Sequence, residues 1–169
     1  MSPPDAAMST ARTTGSDSGK TPSESPPLIV ELDEVECREI IVRQRMCVVA
    51  MVDADVPYAV PVYYGFDGAA LYLGVAEGRK TRVLDDNPRV HVIITEPGEG
   101  DSWRSVAIAG RAIVLTEPAE RAQGIAALIA HNRRPERSAG AGEHAPTRPR
   151  TGGRVIRIDD PVITGRARR

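Results

Sequence analysis

The chain is poor in the side chains from which self-contained active sites are usually built. Its 169 residues include two cysteines, three histidines and six aromatics. Cys37 and Cys47 are too few for a disulfide framework and lack zinc spacing, so they read as small buried hydrophobes in a reducing, cytoplasmic compartment. His91, His131 and His144 have no metal-ligand spacing either, so no metal site is expected. Neither sign of charge is in excess: a formal net charge of −1 removes the general electrostatic case for nucleic acid or a membrane surface. No apolar run approaches the roughly 20 residues of a membrane span. No Ser–His–Asp constellation and no defensible acid–base pair of carboxylates stands out. That absence does not exclude catalysis.

What is present divides the chain. Ser, Thr, Pro and Gly fill 17 of the first 27 positions, a composition that buries too little surface to offset its ordering entropy. Residues 1–27 are expected to form a disordered tail, with Met8 an alternative start. Residues 28–166 form one domain, and residues 167–169 are a basic end. Within the domain, residues 133–153 carry no periodicity and read as a long, mobile basic loop. From 133 to 169 there are ten arginines against four acids, a net of +6. The loop suits either a solvated segment or a lid in which Arg133, Arg134, Arg148 or Arg150 meets an anionic group. No recognisable nucleic-acid fold accompanies these arginines, which sets nucleic acid aside as a partner.

The ordered part alternates strands with a few helices. Asp33 and Glu36 have capping-box spacing, with Leu32 and Cys37 placed as a hydrophobic staple, so a helix is expected over 34–45. Met46 to Val52 is continuously apolar and suits a strand buried on both faces. Strands follow at 58–66 and 70–75 around the hairpin signal Asp67-Gly68, then at 89–95 and 103–115. In the first of these, Tyr58, Val60, Val62, Tyr64 and Phe66 share one face; Ala59, Pro61, Tyr63 and Gly65 share the other. Pro118 opens a helix to Asn132, with an apolar stripe of Ile125, Leu128 and Ile129. Asp159 and Asp160 read as a turn after a last strand, Val155 to Ile158. Six strands joined mostly by tight turns, with helices at the edges, point to a mainly β (α+β) fold: a small six-stranded barrel.

The most informative stretch is Tyr72-Leu73-Gly74-Val75-Ala76-Glu77-Gly78-Arg79-Lys80, running on to Asn87-Pro88. It reads as a strand, a glycine turn, two cations and a short helix stopped by proline. Free N–H groups at a helix start, beside Arg79 and Lys80, suit a phosphate. The same residues would also serve a solvated turn. Five of the six aromatics (Tyr58, Tyr63, Tyr64, Phe66 and Tyr72) lie in one hairpin next to it, and the sixth is Trp103. They fit a barrel core, or the border of a flat conjugated ligand.

These segments, in this order, resemble the pyridoxamine 5'-phosphate oxidase-like, FMN-binding split-barrel superfamily, nearest its nitroimidazole-resistance branch. The match is carried by Pro57–Tyr64, by Glu77–Lys80 with Asn87–Val90, by Trp103–Val106 leading to Gly110-Arg111-Ala112, and by Val162–Arg166. The resemblance implies a homodimer with FMN in a groove between two barrels. It places Val60, Pro61, Val62 and Tyr63 against the flavin ring through their backbone. Leu73, Gly74 and Val75 match the strand end beside the ring and ribityl chain, and Arg79 and Lys80 the phosphate pair. Ser105 matches a ring-contacting position often supplied by the neighbouring subunit. The histidine usual before the phosphate loop in the nitroimidazole branch is replaced here by Leu73 or Gly74. The oxidase's own substrate-binding Arg and His pattern is not recognisable.

The expected function is therefore an FMN-dependent, flavin reductase- or nitroreductase-like oxidoreductase acting on a small conjugated molecule. Tyr63, Tyr64 and Trp103 would wall its pocket, and a nicotinamide could serve as electron donor. The alternatives are a deazaflavin in place of FMN, or a non-catalytic binder of flavin or haem. For haem, His91, His131 and His144 are the candidate axial ligands.

Overall fold

The computed structural model describes residues 28–133 and 153–169. The expected tail at 1–27 lies outside them, as do His144, Arg134, Arg148, Arg150 and nearly all of the expected basic loop. Seven strands and three helices follow in the order β1 (Ile29–Leu32), α1 (Glu34–Arg43), β2 (Met46–Asp53), β3 (Val56–Phe66), β4 (Leu71–Val75), α2 (Arg79–Asp86), β5 (Arg89–Pro97), β6 (Trp103–Val114), α3 (Pro118–Asn132) and β7 (Arg154–Arg168).

All pairings are antiparallel, and the chain closes on itself. The order β3-β2-β5-β6 continues through β7 to β4 and back to β3, which makes a six-stranded barrel. The seventh strand, β1, lies outside that ring, on the far half of β7. Its four residues, with only Leu32 fully buried, are too few to show a period in the sequence. Strand β7 is much longer than the expected Val155 to Ile158. Its first part pairs with β4 and its last part with β1, while most of its length pairs with β6. Asp159 and Asp160 lie inside it, where Asp160 takes a left-handed φ of 50°. Residues 167 and 168 are strand rather than a separate end, and Ala167 is buried.

Helix α1 starts as expected. Asp33 Oδ1 accepts from Glu36 N at 2.8 Å, and Asp33 N donates back to Glu36 Oε2 at 3.0 Å. Leu32 and Cys37 are both buried across that start. The helix stops at Arg43 rather than 45, because Gln44 already has extended backbone and the chain turns into β2. Helix α3 lies across β3 and β4. Its buried residues are Gly124, Ala127 and Leu128, whereas Ile129 of the expected stripe is 47% exposed. Small residues set this approach: a Cβ on Gly65 would stand 2.5 Å from Leu128 N, and one on Gly124 would stand 2.6 Å from a Val155 methyl.

The barrel interior is filled by Val49, Tyr64, Leu73, Val92, Ile94, Val106 and Ile156, each at most 2% exposed. Only one face of β2 joins that core. Cys47, Val49 and Met51 are buried, but Met46, Val48 and Val52 are 48%, 41% and 43% exposed. The two-faced burial expected of this strand is thus met on one side only within a single chain.

Candidate functional site

The barrel is split beside β3. Strand β4 pairs with β3 only at Tyr64, Gly65 and Phe66, opposite Leu73, Tyr72 and Leu71. From Val56 to Tyr63, β3 pairs with β2 on one edge. Its other edge has no ladder partner among the described residues. Pro57 and Pro61, which lack an N–H, fit a strand with one open edge. The stretch Val60–Tyr63 therefore offers backbone polar groups that this chain does not use in its sheet. Leu73, Gly74 and Val75 lie where β4 leaves β3. The side chains of Leu73 and Val75 point into the core, so only their backbone and Gly74 face outward.

The chain then turns through Ala76 and Glu77 to the start of α2. Gly78 has φ 153°, a backbone conformation that favours glycine, and its missing side chain leaves open space. No side chain caps the first N–H groups of α2. Thr81, buried just inside, instead closes the turn: its hydroxyl accepts from Gly78 N and donates toward Glu77. The Glu77 carboxylate is held below its usual range by hydrogen bonds from Arg154 and Thr81. Arg79 donates through Nε to Asp53 Oδ2 at 2.7 Å, and its guanidinium lies 4.4 Å from the centre of the Tyr58 ring. Lys80 has no ion-pair partner among the described residues. An uncapped helix start, a free ammonium and a guanidinium make a donor set suited to a phosphate.

The structure thus brings Val60–Tyr63, Leu73–Val75, Arg79 and Lys80 to one side of the barrel. It does not bring Ser105 or Trp103 there. Both lie on β6, separated from β3 by β2 and β5, three inter-strand steps or about 14 Å within one chain. Tyr63 stands out from the surface at 54% exposure. Tyr64 is not a pocket wall: it is fully buried, and its hydroxyl donates into the carbonyls of Ile41 and Gln44 at 2.7 and 2.8 Å. Burial pushes its ionisation well up from the ordinary tyrosine value. The same applies to Cys47, whose thiol burial raises to about 12. Neither is poised for acid–base work near neutrality.

One group went unnoticed in the sequence, Asp53. Asp53 ends β2, and only the fold brings it to Arg79. A concave region of about 530 Å³ lies elsewhere, lined by Glu31, His91, Ser105, Ala107, Thr164 and Arg166 among others. No group of three or more His, Cys, Asp or Glu able to hold a metal occurs among the described residues. No described helix is long and apolar enough to cross a membrane. His131 donates through Nε2 to Gln44 O at 2.7 Å and packs on Tyr64, and burial lowers its pKa.

The chain is similar to known proteins in sequence and fold. An uncharacterized protein from Rhizobium meliloti is 32% identical over 76 residues, covering 45% of this chain and about half of that protein. An FAD-binding protein from Mesorhizobium loti has a TM-score of 0.65 at 28% identity, over 84% of this chain and 99% of its own. A Bacteroides thetaiotaomicron protein named for resistance to 5-nitroimidazole antibiotics also reaches 0.65, at 21% identity, over 85% and 89%. The last likeness is one of fold alone. The sequence profile of the pyridoxamine 5'-phosphate oxidase family matches residues 33–167, and with the split barrel now in view the chain belongs to that family.

Proposed function

We propose that this protein is an FMN-dependent oxidoreductase that works as a homodimer in the cytoplasm and acts on a small conjugated molecule. The observation that carries the reading is the junction of β3 and α2. A strand edge with unused backbone groups runs beside an uncapped helix start bearing Arg79 and Lys80. The donor set fits a terminal phosphate dianion, and the open edge fits the polar rim of a flat ring. The FAD-binding relative from Mesorhizobium loti supports a flavin in general; the two adjacent cations support the mononucleotide.

When bound, the flavin supplies the hydride chemistry. The chain's own residues hold and shield it. Arg79, Lys80 and the first N–H groups of α2 bind the phosphate. Val60–Tyr63 present backbone donors and acceptors to the ring, and Tyr63 covers an outer side. The second half of the pocket comes from another copy. Met46, Val48 and Tyr63 leave an apolar outer face on β2 and β3 that a second barrel would bury, and the distant Ser105 and Trp103 belong to that partner's contribution.

The test is the absorption spectrum of the purified protein, with the released ligand identified by mass. FMN is expected, together with reduction of nitro or quinone acceptors by a nicotinamide donor. Arg79→Ala with Lys80→Ala is expected to weaken FMN binding about 100-fold. Released haem or deazaflavin would keep the fold and replace the chemistry. A colourless protein that refuses added FMN would overturn the reading.

A further inference from the structure

Arg79 is held by two residues that have no evident need of it. Asp53 ends β2, Tyr58 lies on β3 and Arg79 opens α2, so three separate elements converge on one guanidinium. The turn that presents Asp53 is itself constrained, since Ala54 takes a left-handed φ of 54°. Yet the ion pair is open to solvent, with side chains 53% and 35% exposed. Exposed pairs of this kind add little to fold stability.

The geometry has a different consequence. A guanidinium is a planar fork of five N–H donors. Asp53 engages Nε, and the Tyr58 ring supports one face of the plane. The guanidinium is then held in one orientation rather than swept over many rotamers. Ordering that side chain before the ligand arrives removes an entropic cost from binding. Asp53 also opposes an incoming anion, but that repulsion acts through solvent and is screened.

We propose that Asp53 and Tyr58 are positioning residues that preset Arg79 for a phosphate, so that the site selects a phosphorylated flavin over its unphosphorylated form. The inference rests on the reading that the start of α2 holds the flavin phosphate. Phosphate discrimination then depends on two residues outside the α2 turn, one of them an acid.

The experiment titrates apoprotein with FMN and with riboflavin, following quenching of flavin fluorescence. In the unaltered protein FMN is expected to bind about 100-fold tighter than riboflavin. Asp53→Ala and Tyr58→Leu should each lower FMN affinity about five- to tenfold and leave riboflavin within about twofold. Tyr58→Phe keeps the ring and should behave as the unaltered protein. A purely structural role would move both ligands together, and melting temperatures measured alongside should change little. Unchanged or tighter FMN binding in Asp53→Ala would overturn the proposal, making Asp53 a bystander or a competitor. If the double variant at Arg79 and Lys80 loses the FMN preference while Asp53→Ala and Tyr58→Leu keep it, only the positioning claim fails. If the double variant keeps that preference, the phosphate site itself is misplaced and the positioning claim falls with it.

Discussion

The two faces of β2 are built from the same kinds of residue and meet opposite fates. Cys47, Val49 and Met51 point into the barrel and are 2–4% exposed, while Met46, Val48 and Val52 point out and are 41–48% exposed. Cross-strand neighbours extend the outer face: Val48 lies between Pro61 of β3 and Ile93 of β5, and Ile93 lies opposite Ala107 of β6. Hydrophobicity alone therefore does not tell an inside from an outside in this sheet. The inner face is covered by the chain's own closure, and the outer face is left for something else. A second copy of the same face is the covering we propose, which would also bring Ser105 of one copy toward the β3 edge of another.

Removing volume from the inner face should cost the most. Ile156 is fully buried where β7 meets β4 and β6. Ile156→Ala should destabilise the protein by about 2–5 kcal/mol, through lost transfer energy and an unfilled cavity. Urea denaturation checks this, with the midpoint expected to fall and the slope to stay constant. A change below about 1 kcal/mol would mean that the interior tolerates collapse at that point.

Val48→Asp sharpens the other half. It lies on the exposed face, so a lone folded chain should lose little stability. A dimer built on that face would bury an unpaired carboxylate and lose at least about tenfold in association. Light scattering over a dilution series separates these outcomes. Unaltered dimerisation in Val48→Asp would place any interface elsewhere, and with it the source of Ser105. Flavin binding measured on the same samples should weaken in parallel, because half of the pocket would leave with the partner.

The same contrast explains what could be read from the sequence. The alternation of Tyr58, Val60, Val62 and Tyr64 against Ala59, Pro61 and Tyr63 was legible because side chains alternate strictly along a strand. The capping box at Asp33 and Glu36, the turn at Asp67-Gly68 and the cation pair after Gly78 were legible because each is local chemistry. The length of β7 was not, because Asp159, Asp160 and Pro161 look like a turn, and only the pairing of their flanks with β6 carries the strand through a bulge at Asp160 and Pro161. Nor was β1, whose four residues exist as a strand only because β7 is there to pair with. For the site, the aromatic count misled at Tyr64. Spacing could not distinguish a tyrosine that serves α1 with its hydroxyl from one that walls a pocket. Asp53 was invisible for the opposite reason, since its partner is 26 residues away and only the fold brings them together.

The smallest expected effect lies at the Asp67 turn, which ties the closed end of the β3–β4 hairpin to α3. Asp67 Oδ1 accepts from the N–H groups of Ala69 and Ala70, and Oδ2 accepts from Tyr72 Oη at 2.9 Å and from Gln123 at 3.0 Å. Partial burial pushes the carboxyl up, but these donors outweigh it and hold its pKa at about 2, below the ordinary 3.8. Burial and then the same hydrogen bond raise the Tyr72 phenol to about 12. A depressed carboxyl stabilises the folded chain above its unfolded pKa, and that stabilisation is lost as pH falls through the folded value. Its contribution should therefore be complete above about pH 4 and fade toward pH 2. Asp67→Asn keeps an acceptor for Tyr72 but cannot ionise. It should lower stability modestly at neutral pH and flatten the acid limb of the stability curve, measured by urea denaturation between pH 2 and 7. Because the carboxylate is largely exposed, the loss should stay well below that of Ile156→Ala, and an acid limb identical to that of the unaltered protein would mean that solvent already satisfies the charge.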